Sequence, residues 1–262
     1  SLLFLLNQSQ FLQKNIDFSY SKDKTFIKNL NIDIPKGKVT TILGPNGSGK
    51  STLLSILSCF NKPQKGDIYL DDIKLNKLKY KEIAKHIACV HQHNSAPEDI
   101  DVETLVSYGR SPYKKNSKED KRLIDFAIKA TNLSEIRHKK VMDLSGGQRQ
   151  RAFIAMSLAQ NTEVLLLDEP TTYLDIYHQI EILEVVKKLN EEHNITIVMV
   201  LHDINQAIKY SHNIVIMKNG AIVNEGSPSK IINENIIKDV YQVEGFIGKD
   251  EDEIYFIPRK VC

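Results

Sequence analysis

Polar and apolar residues alternate in Asn15-Ile16-Asp17-Phe18-Ser19-Tyr20 and again in Leu30-Asn31-Ile32-Asp33-Ile34. That period of two marks half-buried strands, so the chain begins β-rich. Pro35-Lys36-Gly37-Lys38 reads as a turn. Val39-Thr40-Thr41-Ile42-Leu43 then has the look of a buried strand, and it runs directly into a glycine-rich loop. A helical pattern follows from residue 50 to about residue 60. Across 97–159 the character changes: helical periodicity dominates, as in Lys121-Arg122-Leu123-Ile124-Asp125-Phe126-Ala127-Ile128, and strand signals are scarce. Three apolar runs of strand length come next, at 163–167, 195–201 and 213–217, with helix-length spacers between them. The order predicts an α/β fold, a mostly parallel sheet covered by helices, with a helical lobe inserted into it.

Composition narrows this only a little. A chain of 262 residues is enough for one large α/β domain with a smaller lobe. Its 41% hydrophobic and 26% charged residues are ordinary for a soluble globular protein. A net charge of +2 makes no demand for nucleic acid as a partner. The basic stretch Lys77-Leu78-Lys79-Tyr80-Lys81 reads as solvated surface. Cys59, Cys89 and Cys262 are scattered and form no C-x-x-C, which predicts reduced thiols in a cytosolic setting, with neither a zinc site nor a disulfide framework. The apolar run Ser1-Leu2-Leu3-Phe4-Leu5-Leu6 is too short for a signal core or a membrane span and reads as the lead-in to a first strand. The longest apolar run, 195–201, is of strand length, so a membrane role is expected to come through a partner. No internal repeat or low-complexity linker divides the chain.

The loop Gly44-Pro45-Asn46-Gly47-Ser48-Gly49-Lys50-Ser51 matches G-x-x-x-x-G-K-[ST] in full, between a predicted strand and a predicted helix. Glycines let backbone N–H groups turn inward against phosphate oxygens, and the helix that follows, opening on Lys50, Ser51 and Thr52, aims its positive end at the same anion. Lys50 is expected to reach the β- and γ-phosphates of a nucleotide and the Ser51 hydroxyl to ligate Mg²⁺, which makes Mg-ATP the expected ligand. Val164-Leu165-Leu166-Leu167 ends in Asp168 and Glu169. Alone, the pair reads equally as an acidic opening to a loop. Beside a phosphate loop, Asp168 fits a Mg²⁺ contact and Glu169 a general base for the attacking water. Leu144-Ser145-Gly146-Gly147-Gln148 precedes a helical stretch over 151–160. It offers a hydroxyl and free N–H groups at a helix N-terminus, a second anion-binding device that one nucleotide in one domain does not need. A serine cap followed by a glycine turn is the plainer reading of the same residues.

Taken together, these motifs make the chain resemble the nucleotide-binding subunit of an ABC transporter over nearly its whole length. Leu144 to Gln148 resembles the signature motif of that superfamily. The resemblance implies a P-loop NTPase with an N-terminal antiparallel β-subdomain. The core would span about 1–96 and 160–262, and the inserted helical signature subdomain about 97–159. It implies head-to-tail pairing of two copies, in which Ser145, Gly146, Gly147 and Gln148 of one close over the ATP held by the phosphate loop of the other. It further implies that Tyr20 stacks on adenine, although an ordinary strand tyrosine remains open. Gln92 would contact Mg²⁺ and the attacking water and face the membrane partner, Asp175 would cross the dimer interface, and His202 would bond the γ-phosphate. His91 and His93 flank Gln92 at a spacing that argues against a zinc pair.

A single set of motifs implies two copies of the chain. The interval from Gln92 to Ser145 lacks the long coiled-coil insertion of DNA-repair relatives, and the tail after Gly226 is too short for an added regulatory domain. Leu105-Val106-Ser107-Tyr108-Gly109-Arg110-Ser111-Pro112-Tyr113 and Glu169-Pro170-Thr171-Thr172-Tyr173-Leu174-Asp175 resemble the ATPases of iron–siderophore, haem and cobalamin importers, with ferric siderophore the first choice. The implied setting is the cytoplasmic face of the cell membrane. There the chain would sit against integral permease subunits and serve, indirectly, a substrate-binding protein. The rival is a soluble ABC ATPase acting as an assembly scaffold, as in iron–sulfur cluster biogenesis, which would share every phosphate-handling motif.

Overall fold

The structure is a computed structural model that describes residues 9–20, 26–251 and 253–262. The apolar stretch Ser1–Leu6 lies outside the described residues. The chain divides into two units: Ser1–Lys77 with Val198–Cys262, and Leu78–Ile197.

Alternation builds the first unit's antiparallel sheet. Its strands lie in the order Ile27–Pro35, Ser9–Phe18, Lys65–Leu70, Ile73–Lys74. Ile27, Leu30, Ile32 and Ile34 turn to the buried face while their neighbours stay in water, which gives the sheet one dry side. A second group of strands reads as continuous apolar runs because both faces are covered. Val39–Leu43 is buried at all five positions and pairs in parallel with Asn213–Lys218, which pairs antiparallel with Ala221–Gly226. The helix after the glycine loop is Lys50–Leu57. It stops short of residue 60 because Cys59 takes a left-handed backbone, φ 58°. A C-terminal hairpin, Val243–Asp250 with Glu253–Val261, completes the unit. Asn205, on the helix Ile204–Tyr210, holds it as a third strand would. Its amide donates to the Phe256 carbonyl at 3.0 Å and accepts from the Phe256 N–H at 2.7 Å.

The second unit joins a parallel pair, Ile87–Val90 with Val164–Asp168, to the helices Val102–Ser107, Ser117–Ala130, Gly146–Ala159 and Ile176–His193. All the residues of 97–159 fall within it. Four side-chain caps start these helices: Asp101, Asn116, Ser145 and Asp175 each accept a first-turn backbone N–H. Gly109 permits a close crossing, since a Cβ there would stand 2.1 Å from the carbonyl oxygen of Met156. Arg137 ties the connecting segments together. It forms a two-pronged pair with Glu103 at 2.7 and 2.8 Å and a further contact with Asp125 at 2.6 Å. No helix among the described residues is long and apolar enough to cross a membrane.

Candidate functional site

In the first unit the glycine loop is shaped by close approach. At Gly44, φ is +152°, and a Cβ would lie 2.2 Å from the Met217 carbonyl oxygen, so no other residue fits beside the strand Asn213–Lys218. Gly47 and Gly49 also take positive φ, turning the loop back over the start of the helix. Gly49 is that helix's N-cap, with no side-chain cap bond and no acidic residue in the first turn. The helix therefore presents its positive end without a built-in counter-charge. Lys50 is only 5% exposed, and its ammonium donates to the carbonyls of Gly44 at 2.9 Å and Pro45 at 3.1 Å. An ammonium ordered beside the loop's carbonyls is placed to meet an anion bound in the loop. The buried Ser48 hydroxyl has no hydrogen-bond partner among the described residues, a second sign that the cradle is built for a ligand. Asn46 and Ser51 are exposed beside it, and Thr52 is buried in the first turn of the helix.

Tyr20 is 68% exposed, yet its orientation is fixed: its hydroxyl bonds Thr52 Oγ1 at 2.7 Å, and the Phe18 ring meets it edge-on at 4.9 Å. A ring pinned at its hydroxyl and open on its surface suits stacking against a flat base. His202 belongs to the same unit, exposed between the strand Thr196–Val200 and the Asp203 cap of the helix Ile204–Tyr210.

In the second unit Asp168 is the last residue of its strand, and Glu169 follows with φ 50°. The structure brings Gln92 and Glu169 together: the Gln92 amide donates to Glu169 Oε2 at 2.6 Å. Thr172 Oγ1 donates to the same oxygen at 3.0 Å. Burial, with the Asp168 carboxylate adding to it, pushes the Cys89 thiol up to about 12, so that thiol stays protonated and inert near neutral pH.

The signature residues sit at the start of the helix Gly146–Ala159, five residues earlier than apolar periodicity alone predicts, because Ser145 caps it. Ser145 Oγ accepts from Gln148 N at 3.3 Å and Gln148 Oε1 accepts from Ser145 N at 3.2 Å, a reciprocal capping box. Asp175 caps the neighbouring helix by accepting from His178 N at 3.0 Å. The two helix starts touch. A Cβ at Gly147 would meet the His178 ring at 2.7 Å, and one at Gly146 would meet Leu174 at 3.1 Å. Deeper in, the buried guanidinium of Arg151 pairs with Glu181, which also lies 3.2 Å from His178 Nδ1. Gly146, Gly147 and Asp175 therefore belong to one packed assembly. The sequence reading gives no site role to His178, Arg151 or Glu181, and none to Thr172 beyond its place in the stretch Glu169 to Asp175. The one available signal was Arg151, a charge on an otherwise buried helical stretch, which requires an acidic partner.

Residues 27–172 match the family described as ABC transporter. The iron(3+)-hydroxamate import ATP-binding protein FhuC of Bacillus subtilis (strain 168) is 44% identical over 232 residues, 87% of this chain and 86% of that protein. The ferric enterobactin transport ATP-binding protein FepC of Escherichia coli (strain K12) is 43% identical over 86% of this chain and 85% of its own. Among solved structures, the dimeric post-hydrolysis state of the ATP-binding cassette MJ0796 bound to ADP and Pi superposes with a TM-score of 0.73 at 33% identity. It covers 83% of this chain and 98% of that one.

Proposed function

We propose, from the premise that this chain belongs to the ABC transporter family, that it is the ATP-hydrolysing subunit of a ferric siderophore importer at the cytoplasmic face of the membrane. The observation that carries the reading is the match of 44% identity across 87% of the chain to a protein named for iron(3+)-hydroxamate import. Relatives named for siderophore transport favour an importer over a soluble scaffold. In this reading a separate binding protein and permease would handle the cargo.

In this reading 1–96 and 160–262 serve as the nucleotide-binding core and 97–159 as the signature lobe. Residues Gly44 to Thr52 hold the triphosphate through backbone N–H groups and the Lys50 ammonium, and Tyr20 stacks on the base. Ser51, Gln92 and Asp168 offer the hydroxyl, amide and carboxylate oxygens that suit a hard cation, and Mg²⁺ held there would supply neutralising charge to the phosphates. Glu169 takes the proton from the attacking water, and His202 bonds the γ-phosphate. Phosphoryl transfer to water needs positioning and charge neutralisation more than covalent chemistry. Ser145, Gly146, Gly147, Gln148 and Asp175 serve the ATP of a second copy, so that ATP joins two chains head to tail and its hydrolysis lets them part.

The packed assembly of signature and Asp175 makes this testable. Glu169→Gln, which keeps ATP intact, is expected to dimerise when ATP is added, as read by light scattering. Adding Ser145→Arg puts a bulky cation at the signature and is expected to keep the chain monomeric. A Glu169→Gln chain that stays monomeric at high ATP, both alone and with its permease, contradicts the head-to-tail arrangement.

A further inference from the structure

The turn that follows Glu169 carries a hydroxyl back onto its carboxylate. Pro170 and Thr171 are buried, the Thr172 N–H donates to the Glu169 carbonyl at 3.2 Å, and the turn so closed sets Thr172 Oγ1 3.0 Å from Glu169 Oε2. The second donor to that oxygen, the Gln92 amide at 2.6 Å, comes from a segment 77 residues away in sequence. The two donors differ in kind. Thr172 closes a four-residue turn that begins at Glu169, whereas Gln92 stands on a segment distant in sequence. Glu169 itself holds a left-handed backbone, φ 50°, uncommon for a residue with a side chain. Its position is therefore set by this turn and not by a relaxed strand end.

We infer that Thr172 is a positioning residue for the hydrolytic reaction: its hydroxyl anchors one oxygen of Glu169, fixing the rotamer from which the carboxylate meets the attacking water. This rests on the proposed role of Glu169 as base and goes beyond it by naming the group that holds the base in place. A general base must stand within hydrogen-bond reach of the proton it takes, and a carboxylate at the end of two methylenes swings freely unless something holds it. Thr172 contributes to that restraint through its hydroxyl, and its loss is expected to leave nucleotide affinity unchanged.

The test is steady-state ATPase kinetics on the full chain, in complex with its permease, comparing wild type, Thr172→Val, Thr172→Ser and Glu169→Gln. ATP affinity and ATP-driven dimerisation are measured alongside. Thr172→Val keeps the shape and removes the donor. It is expected to lower kcat about tenfold with KM unchanged, because misplacing a reacting group costs turnover and not binding. Thr172→Ser restores the hydroxyl and is expected to recover most of the rate. In the Glu169→Gln background Thr172→Val is expected to have no further effect, since the group it positions is gone. Thr172→Val turning over at the wild-type rate while Glu169→Gln is inactive overturns the inference and leaves the role of Glu169 standing. Glu169→Gln turning over near the wild-type rate overturns the role of Glu169 instead. A Thr172→Val chain that loses ATP affinity or dimerisation, without rescue by serine, shows that the hydroxyl only supports the fold of the turn, and so also overturns the inference.

Discussion

Glu169→Gln is expected to bind ATP as tightly as the wild type and to hydrolyse it at least about a hundredfold more slowly. The substitution is nearly isosteric, so the strand Val164–Asp168 and the turn that follows should persist. What disappears is the carboxylate's ability to take a proton, a function worth roughly 10²–10⁴ in rate when a positioned base supplies it. Affinity should be spared because, on the proposed reading, the charge that would hold the phosphates belongs to Lys50 and to the helix Lys50–Leu57. Equilibrium binding and phosphate release, measured on the same preparation, separate the two. Turnover close to wild type would remove Glu169 from the role of base.

Lys50→Ala produces the opposite division: the loss falls on binding. The Lys50 ammonium is buried and already aimed along the loop by the carbonyls of Gly44 and Pro45. On the proposed reading ATP would meet an ammonium that is already ordered in the folded chain. Charge-assisted hydrogen bonds of this kind are worth about 1.5–3 kcal/mol. Affinity should accordingly fall about ten- to a hundredfold by calorimetry. The loop should keep its shape, because Gly44 is fixed by its approach to Met217 and not by the lysine. Unchanged affinity would count heavily against the loop as the phosphate site.

Much of this protein is legible in its sequence, for reasons that differ from element to element. Val39–Leu43 and Val164–Asp168 announce themselves because strands covered on both faces must be apolar throughout. The glycine loop is readable because its glycines are required by contacts at the backbone itself, as the 2.2 Å approach at Gly44 shows. The C-terminal hairpin went unread. Ile254, Tyr255, Phe256 and Ile257 run together without clean alternation, and what fixes Phe256 is the side chain of Asn205, distant in sequence. The start of the helix Gly146–Ala159 was missed for a local reason: Gly146 and Gly147 are poor helix formers, and only the Ser145–Gln148 capping box explains why the helix begins there. The same limit applies to the site. Motif residues such as Lys50 and Ser145 carry their own signal, whereas Thr172 and His178 act by where the fold puts them. His178 matters because its ring lies where Gly147 has no side chain and its Nδ1 meets Glu181, neither of which a motif announces.

The central claim is that ATP hydrolysis by this chain drives import of a ferric siderophore through a membrane partner. The most direct test is to purify the chain from native membranes under mild conditions. Its ATPase rate is then measured with and without a binding protein loaded with a ferric hydroxamate siderophore. The account predicts recovery in complex with an integral membrane protein and a rate that rises when the loaded binding protein is added and not when the empty one is. Recovery of the chain as a soluble protein without a membrane partner, hydrolysing ATP at a rate indifferent to the loaded binding protein, would contradict it.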